Sequence, residues 1–294
     1  EYARIGISYL SKIIFVEQPR QLGSGDAVLQ VKRFVGRNIK SLLVISGDVP
    51  LISKDTLDNL LKVQQKNDVD SCVLSVKVPN PYSYGRIIRD SFGRFKKIVE
   101  EKDASEQEKT VNEINSGIYV FKLPILWKNL KKVTPDNKKK EYYLTDVIKY
   151  SDTKTTFTSN NYLELKGINT RADLAEVENI VREKLLYNMM LNGVSIYLPQ
   201  TVYVDYYTKI GQDSIIYPNT IVTNSVIKEN CVLGACSVIE NSFINSGTKI
   251  IYSFVSESQI GKNCKIGPFG RIRPGTKIFD NVTIGNFVEI KNSI

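Results

Sequence analysis

Histidine is absent from all 294 residues of the chain. Its absence removes the commonest general base near neutral pH, along with every histidine-centred metal site and nucleophile–base pair. Chemistry must then run on carboxylates, amides, lysine, arginine, backbone groups and bound metal. Cysteine is scarce. The four residues Cys72, Cys231, Cys236 and Cys264 show neither the Cys-x-x-Cys spacing of a zinc site nor the density of a disulfide scaffold, so buried reduced thiols in a cytosolic protein are expected. No apolar run approaches the roughly 20 residues that span a bilayer. The opening Glu1-Tyr2-Ala3-Arg4 carries no initiator Met and no signal-peptide pattern, so the true start is expected upstream. The net charge of +9 is scattered apart from short clusters such as Lys138-Lys139-Lys140. No groove-reading motif accompanies it, which favours a solvated basic surface over a nucleic-acid patch. Phosphorylated small substrates suit the same field.

Two periodicities divide the chain. In the first half strand-like and helix-like segments alternate. Ser41-Leu42-Leu43-Val44-Ile45 is a nearly continuous apolar run, as expected of a strand buried on both faces. Ser53 is placed to cap a helix carrying Leu57, Leu60 and Leu61. Cys72–Val76 and Gly117–Phe121 read as further strands, and Tyr142–Tyr150 as a short helix. Such alternation predicts a mostly parallel sheet with helices on its faces. From Arg171 to Gly193 one long helix is predicted, with Leu174, Val177, Val181 and Leu185 on one side and Gly193 as the residue beyond its end.

After about residue 200 the period becomes six. Ile260, Ile266, Ile272, Ile278, Ile284 and Ile290 are six residues apart, as are Val204, Ile210, Ile216 and Val222. Ile227, Leu233 and Ile239 continue the step after a one-residue slip, and Ile251 lies two steps further on. One inward aliphatic per six-residue side describes a hexapeptide β-helix.

Individual motifs in the first half are ambiguous. Asp48 follows a buried strand, where open α/β sheets bind ligands; a carboxylate there serves a divalent ion or a simple turn. The loop Gln18–Ala27, with Gly23 and Gly25, can meet a base or a phosphate, or be a plain loop. Tyr84-Gly85-Arg86 and Glu113-Ile114-Asn115-Ser116-Gly117 are equally open.

Together with Ile98–Ala104, Glu141–Asp146, Gly167–Arg171, Ile266–Phe269, Arg271–Gly275 and Ile284–Ser293, these stretches occur in the order of one family. The chain resembles the bacterial bifunctional N-acetylglucosamine-1-phosphate uridyltransferase / glucosamine-1-phosphate N-acetyltransferases over essentially its whole length. The resemblance implies an α/β nucleotidyltransferase domain (Rossmann-like, mostly parallel sheet) over residues 1–170, incomplete at its N-terminus. A linker helix over 171–195 and a left-handed parallel β-helix over 196–294, incomplete at its C-terminus, follow. It implies a cytoplasmic homotrimer with no nucleic-acid partner. Its substrates would be UTP, N-acetylglucosamine 1-phosphate, glucosamine 1-phosphate and acetyl-CoA, with Mg²⁺ as cofactor. The positions matching Gln18, Gly23 and Ser24 contact uracil in the family. Asp48 and Asn169 match the pair that holds Mg²⁺. Gly85, Glu100 and Asn115 match contacts to the N-acetylglucosamine moiety, and Arg273 and Lys291 match residues that bind the sugar phosphate of the acetyltransferase site.

The sequence also departs from the family. The Gly-rich phosphate loop that opens these proteins has no counterpart ahead of Gln18, and the acetyl-transfer His with its CoA-binding coils is expected beyond Ile294. No catalytic residue is therefore assigned. Asp26 stands where the family usually has His, and Ser46 where it often has Tyr. Two alternatives stay open: another hexose-1-phosphate nucleotidyltransferase with a β-helix tail, and an inactive piece serving only β-helix trimer assembly.

Overall fold

A computed structural model describes residues 13–294. The segment where the Gly-rich loop is missed lies for the most part outside these residues. The chain forms two compact units, Glu1–Asn169 and Thr170–Ile294.

The described part of the first unit contains α1 (Ser24–Gln30), β1 (Ser41–Val44), α2 (Lys54–Lys66), β2 (Ser71–Lys77), β3 (Arg86–Arg89) and β4 (Phe95–Val99), then α3 (Glu106–Lys109), β5 (Glu113–Lys122), α4 (Leu123–Leu130), α5 (Thr145–Lys149) and β6 (Lys154–Ser159). The sheet runs β4-β3-β5-β2-β6, with β1 also paired to β5. Strands β1, β2, β3 and β6 share one direction. Most of the hydrogen-bonded pairs are nevertheless antiparallel, because β5 runs the other way between them. The sheet is thus mixed. Two cores form on it, one around Leu60, Leu74 and Ile118, the other around Phe121, Leu126 and Ile148. Ser53 caps α2 as expected, its hydroxyl accepting from Thr56 N–H.

Thr170 and Asp173 form a reciprocal capping box at the start of α6 (Arg171–Leu191). Gly193, with φ of 89°, takes the left-handed step just past its end. The buried residues of α6 are Val177 and Leu186, whereas Leu174 and Val181 are exposed. Leu186 packs against the first coil of the β-helix with Val194 and Val202. Spacing alone could not say which part of the helix meets a core.

Beyond α6 the chain coils into three parallel sheets of six, six and five two- or three-residue strands. Val232 pairs with Lys249, Lys249 with Lys265 and Lys265 with Thr283, so successive turns hold 17, 16 and 18 residues. Inward aliphatics stack into one column-like core from Val204 to Ile290. The inward residue of this side is Ile250 rather than the expected Ile251: Ile250 is fully buried and Ile251 half-buried. The slips occur at corners of five rather than six residues, Thr223–Ile227, Glu240–Ile244, Ile251–Val255 and Ser256–Ile260. In each, a serine hydroxyl donates to the carbonyl two residues before it, as Ser225 does to Thr223 and Ser253 to Ile251. The serine closes the tight corner with a local side-chain-to-backbone bond.

A second periodic set lies two residues before each inward aliphatic. Thr208, Ser214, Thr220, Ser237 and Thr248 are buried there, and their hydroxyls bond to backbone of the neighbouring coil, as Thr220 does to Gly234 O at 3.1 Å. These bonds satisfy polar groups that burial would otherwise penalise. Cys231 and Cys264 occupy two slots of the same ladder, and burial pushes the Cys231 thiol up. Cys72 is buried in the first unit, its thiol pushed up to about 12 by desolvation, while Cys236 is exposed. Among the described residues no helix is long and apolar enough to cross a membrane.

Candidate active site

Cross-strand register assembles the first cluster. Arg86 pairs with Val99 on one side and with Ile114 on the other. The residues one step further along, Gly85, Glu100 and Asn115, therefore meet across three adjacent strands. A Cβ placed on Gly85 would lie 3.3 Å from Glu100 Oε2 and 3.5 Å from Asn115 Cβ. Asn115 N–H donates to Gly85 O at 2.8 Å, and its amide nitrogen donates to the Tyr119 hydroxyl at 2.8 Å. Behind the cluster the buried Arg86 pairs with Glu101 at 2.6 Å, tying the flanks of Gly85 and Glu100 together. Glu100 accepts from Thr145 at 3.3 Å. Both line a cleft of about 460 Å³ with Asp103, Tyr143 and Asp146. Desolvation holds the Glu100 and Asp146 carboxyls above the usual range. Desolvation, reinforced by nearby carboxylates, pushes the Tyr143 hydroxyl up to about 12.

The second cluster surrounds Gly167. A Cβ there would lie 3.6 Å from Asp48 Oδ2, 3.7 Å from Asn169 Nδ2 and 3.7 Å from the Tyr84 hydroxyl. The Asp48 backbone is fixed by Ile168 N–H, which donates to its carbonyl at 2.9 Å, and Gly167 N–H donates to the Tyr84 hydroxyl at 3.3 Å. Tyr84-Gly85 thus joins the two clusters. Among the described residues no group of three His, Cys, Asp or Glu side chains could hold a metal by itself. One carboxylate and one amide oxygen suit a hard cation whose other ligands are phosphate oxygens and water.

The third cluster is the loop before α1. Gly23 has φ of 114°, and a Cβ on it would lie 2.6 Å from Tyr142 O, so only glycine fits. Tyr142 N–H donates to Leu22 O, Gly25 N–H donates to Tyr142 O, and the Ser24 hydroxyl accepts from Leu144 N–H. Gln18 donates to Gly23 O and to Asp26. The stretch Tyr142–Thr145 therefore links this loop to Glu100. Ser46 donates to Gly117 O at 3.2 Å, at the edge of the same region.

Arg273 and Lys291 belong to the second unit. Arg273 N–H donates to Ile290 O, which places it on the coil next to Lys291 at one corner. The Arg273 guanidinium pairs with Glu289 at 3.1 Å on an exposed face. Tyr119 and Thr145 were not singled out by sequence reading, and Tyr84 only as the first residue of the Tyr84-Gly85-Arg86 stretch. Only their presence within or beside the matched stretches pointed to them, and a hydroxyl's partner depends on register.

Residues 3–161 match the family model described as nucleotidyl transferase, and residues 198–294 match that of the GMPPB C-terminal domain. The chain is 41% identical over 281 residues to the bifunctional protein GlmU of Geobacillus sp. (strain WCH70), covering 94% of this chain and 61% of that protein. It is 41% identical over 285 residues to the bifunctional protein GlmU of Clostridium novyi (strain NT), with 96% and 62% covered. With that of Clostridioides difficile (strain 630) it shares 39% over 288 residues, with 96% and 62% covered. The chain spans about three-fifths of the length of these relatives.

Proposed function

The chain belongs to the nucleotidyl transferase family, and from that premise we propose that its first unit transfers a uridylyl group from UTP to N-acetylglucosamine 1-phosphate, releasing pyrophosphate. The observation that carries the reading is the chain of contacts from the Gln18–Gly25 loop through Tyr142–Thr145 to Glu100, and from Gly85 through Tyr84 to Asp48 and Asn169. In this reading Gln18, Gly23 and Ser24 take the base, and Gly85, Glu100 and Asn115 take the acetylated sugar. Asp48 and Asn169 hold Mg²⁺ through their oxygens, with the phosphates completing the set. When bound, the ion supplies neutralisation of charge on the triphosphate.

The remaining work is positioning. A sugar phosphate near neutral pH is largely the dianion, since its second pKa is about 6. Its oxygen attacks the α-phosphorus and pyrophosphate leaves, so no side chain need remove a proton. A chain without histidine loses nothing by that route. Glu100 and Asn115 orient the sugar hydroxyls and amide, and the backbone at Gly85 allows close approach. Alignment of this kind accounts for much of the rate in phosphoryl transfer.

In the longer protein, the second unit takes part in acetyl transfer from acetyl-CoA to glucosamine 1-phosphate, with Arg273 and Lys291 on the phosphate and trimer assembly through the β-helix. Support for this comes from the relatives' length and from the stacking of the two cations on adjacent coils. The uridylyl reading is tested by pyrophosphate release from UTP and N-acetylglucosamine 1-phosphate in the full-length protein. Asp48→Ala, which keeps the backbone bond to Ile168, should lower Mg²⁺-dependent turnover by about 100-fold or more. Unchanged turnover would refute the metal assignment.

A further inference from the structure

The amide of Gln18 is held by both of its hydrogens. Nε2 donates to Asp26 Oδ2 at 2.7 Å and to the Gly23 carbonyl oxygen at 3.1 Å, and an amide nitrogen has only two protons to give. Chemistry decides which end of this side chain is nitrogen. An ionised carboxylate and a carbonyl oxygen accept and cannot donate, so turning the amide over would set oxygen against oxygen. Asp26 is itself braced, because its Oδ1 accepts from Gln30 Nε2 at 3.0 Å, one turn further along α1. The free end of the amide is Oε1, which meets no donor among the described residues. Gly23 N–H, next to the carbonyl that Gln18 holds, meets no acceptor among them.

We infer that Asp26 is a specificity-determining positioning residue: it locks Gln18 with its carbonyl oxygen presented to the nucleobase, so that the site takes a base whose ring nitrogen carries a hydrogen. The inference rests on the reading of Gln18 as a base contact. Uracil N3–H donates to Oε1. Cytosine presents a lone pair at the same ring atom, and two acceptors then face each other with nothing between them. A site built around one polar partner rejects the analogue that leaves that partner unpaired. Without Asp26, one of the two bonds that hold the amide is gone. The side chain then turns over to offer Nε2–H to cytosine at far smaller cost. Asp26 touches no substrate; it acts through Gln18. The competing role is a purely local one, an acidic residue in the first turn of a helix, and the two differ in what they do to selectivity.

The test is calorimetric titration of UTP and of CTP, each with Mg²⁺, into the full-length wild-type protein and into its Asp26→Ala, Asp26→Asn, Gln18→Ala and Gln18→Ala/Asp26→Ala variants. The wild type should favour UTP by about tenfold or more. That ratio should fall toward parity in Asp26→Ala. It should fall by an intermediate amount in Asp26→Asn, a near-isosteric change that leaves one oxygen to serve both Gln18 and Gln30. In the Gln18→Ala background, removal of Asp26 should leave the ratio where it was. An unaltered ratio in Asp26→Ala with UTP still bound overturns the inference and leaves the uridylyl reading standing. Weakening of both nucleotides by one common factor also overturns it, since that is the mark of a local helix residue. A wild type that binds no UTP overturns the uridylyl reading and the inference together.

Discussion

Glu100 stands half-buried beside Gly85 and Asn115 and accepts from the Thr145 hydroxyl. Desolvation raises its carboxyl above the usual range, outweighing the Thr145 bond and the nearby Lys139 charge. The folded chain therefore keeps a proton that the unfolded chain releases at lower pH, and stability falls as pH rises between the two values. Below the unfolded value both states hold the proton and no cost is felt; at higher pH the desolvated carboxylate is costly to keep. Glu100→Gln should consequently raise the urea midpoint of the first unit at pH 7 and change it little at pH 4. The same substitution removes the anion from the proposed sugar contact, so pyrophosphate release should drop. A gain in stability joined to a loss of activity is the expected signature of a functional residue held in an unfavourable setting. An equal midpoint shift at both pH values would contradict this account.

At the scale of elements, the β-helix is governed by its corners. Each five-residue corner shifts the phase of everything after it by one residue, which is why Ile250, and not Ile251, faces the core. Ile250→Ala should cost about 2–5 kcal/mol by transfer and cavity terms together. Ile251→Ala, at a half-buried corner position, should cost under about 1 kcal/mol. Thermal unfolding of both variants checks the pair, and equal losses would place the phase elsewhere. The serine of each short corner and the hydroxyl ladder beside the aliphatic column explain why threonine, serine and cysteine recur at one position per side. They are the small residues able to satisfy a buried backbone group there.

For the molecule as a whole, the two units have separate cores, one clustered around the coil axis and two around the mixed sheet. Residues 170–294 carry their own capped helix and a continuous aliphatic core. Expressed alone, this segment should give a β-rich circular dichroism spectrum and a cooperative thermal transition. A segment that lacks that transition would show that its coils depend on the first unit. The net charge of +9 belongs to this scale too, as a field that favours anionic substrates without specifying any of them.

The sequence by itself determined the coil. One inward aliphatic every six residues is a local requirement of each side, so the pattern is written where it acts. The helix cap at Ser53 was legible for the same reason, since a cap and the amide it satisfies lie three residues apart. The matched stretches gave the site residues as a set but not as a place. Tertiary structure decided that Gly85, Glu100 and Asn115 meet, because the register of three strands sets the partner of each, and register depends on the whole sheet. It likewise decided the phase of the short corners, where a one-residue change is too small for periodicity to resolve until neighbouring coils stack. The grip of Asp26 on Gln18 spans eight positions and depends on the loop folding back on itself. No spacing rule encodes that contact; only two side chains brought within 2.7 Å do.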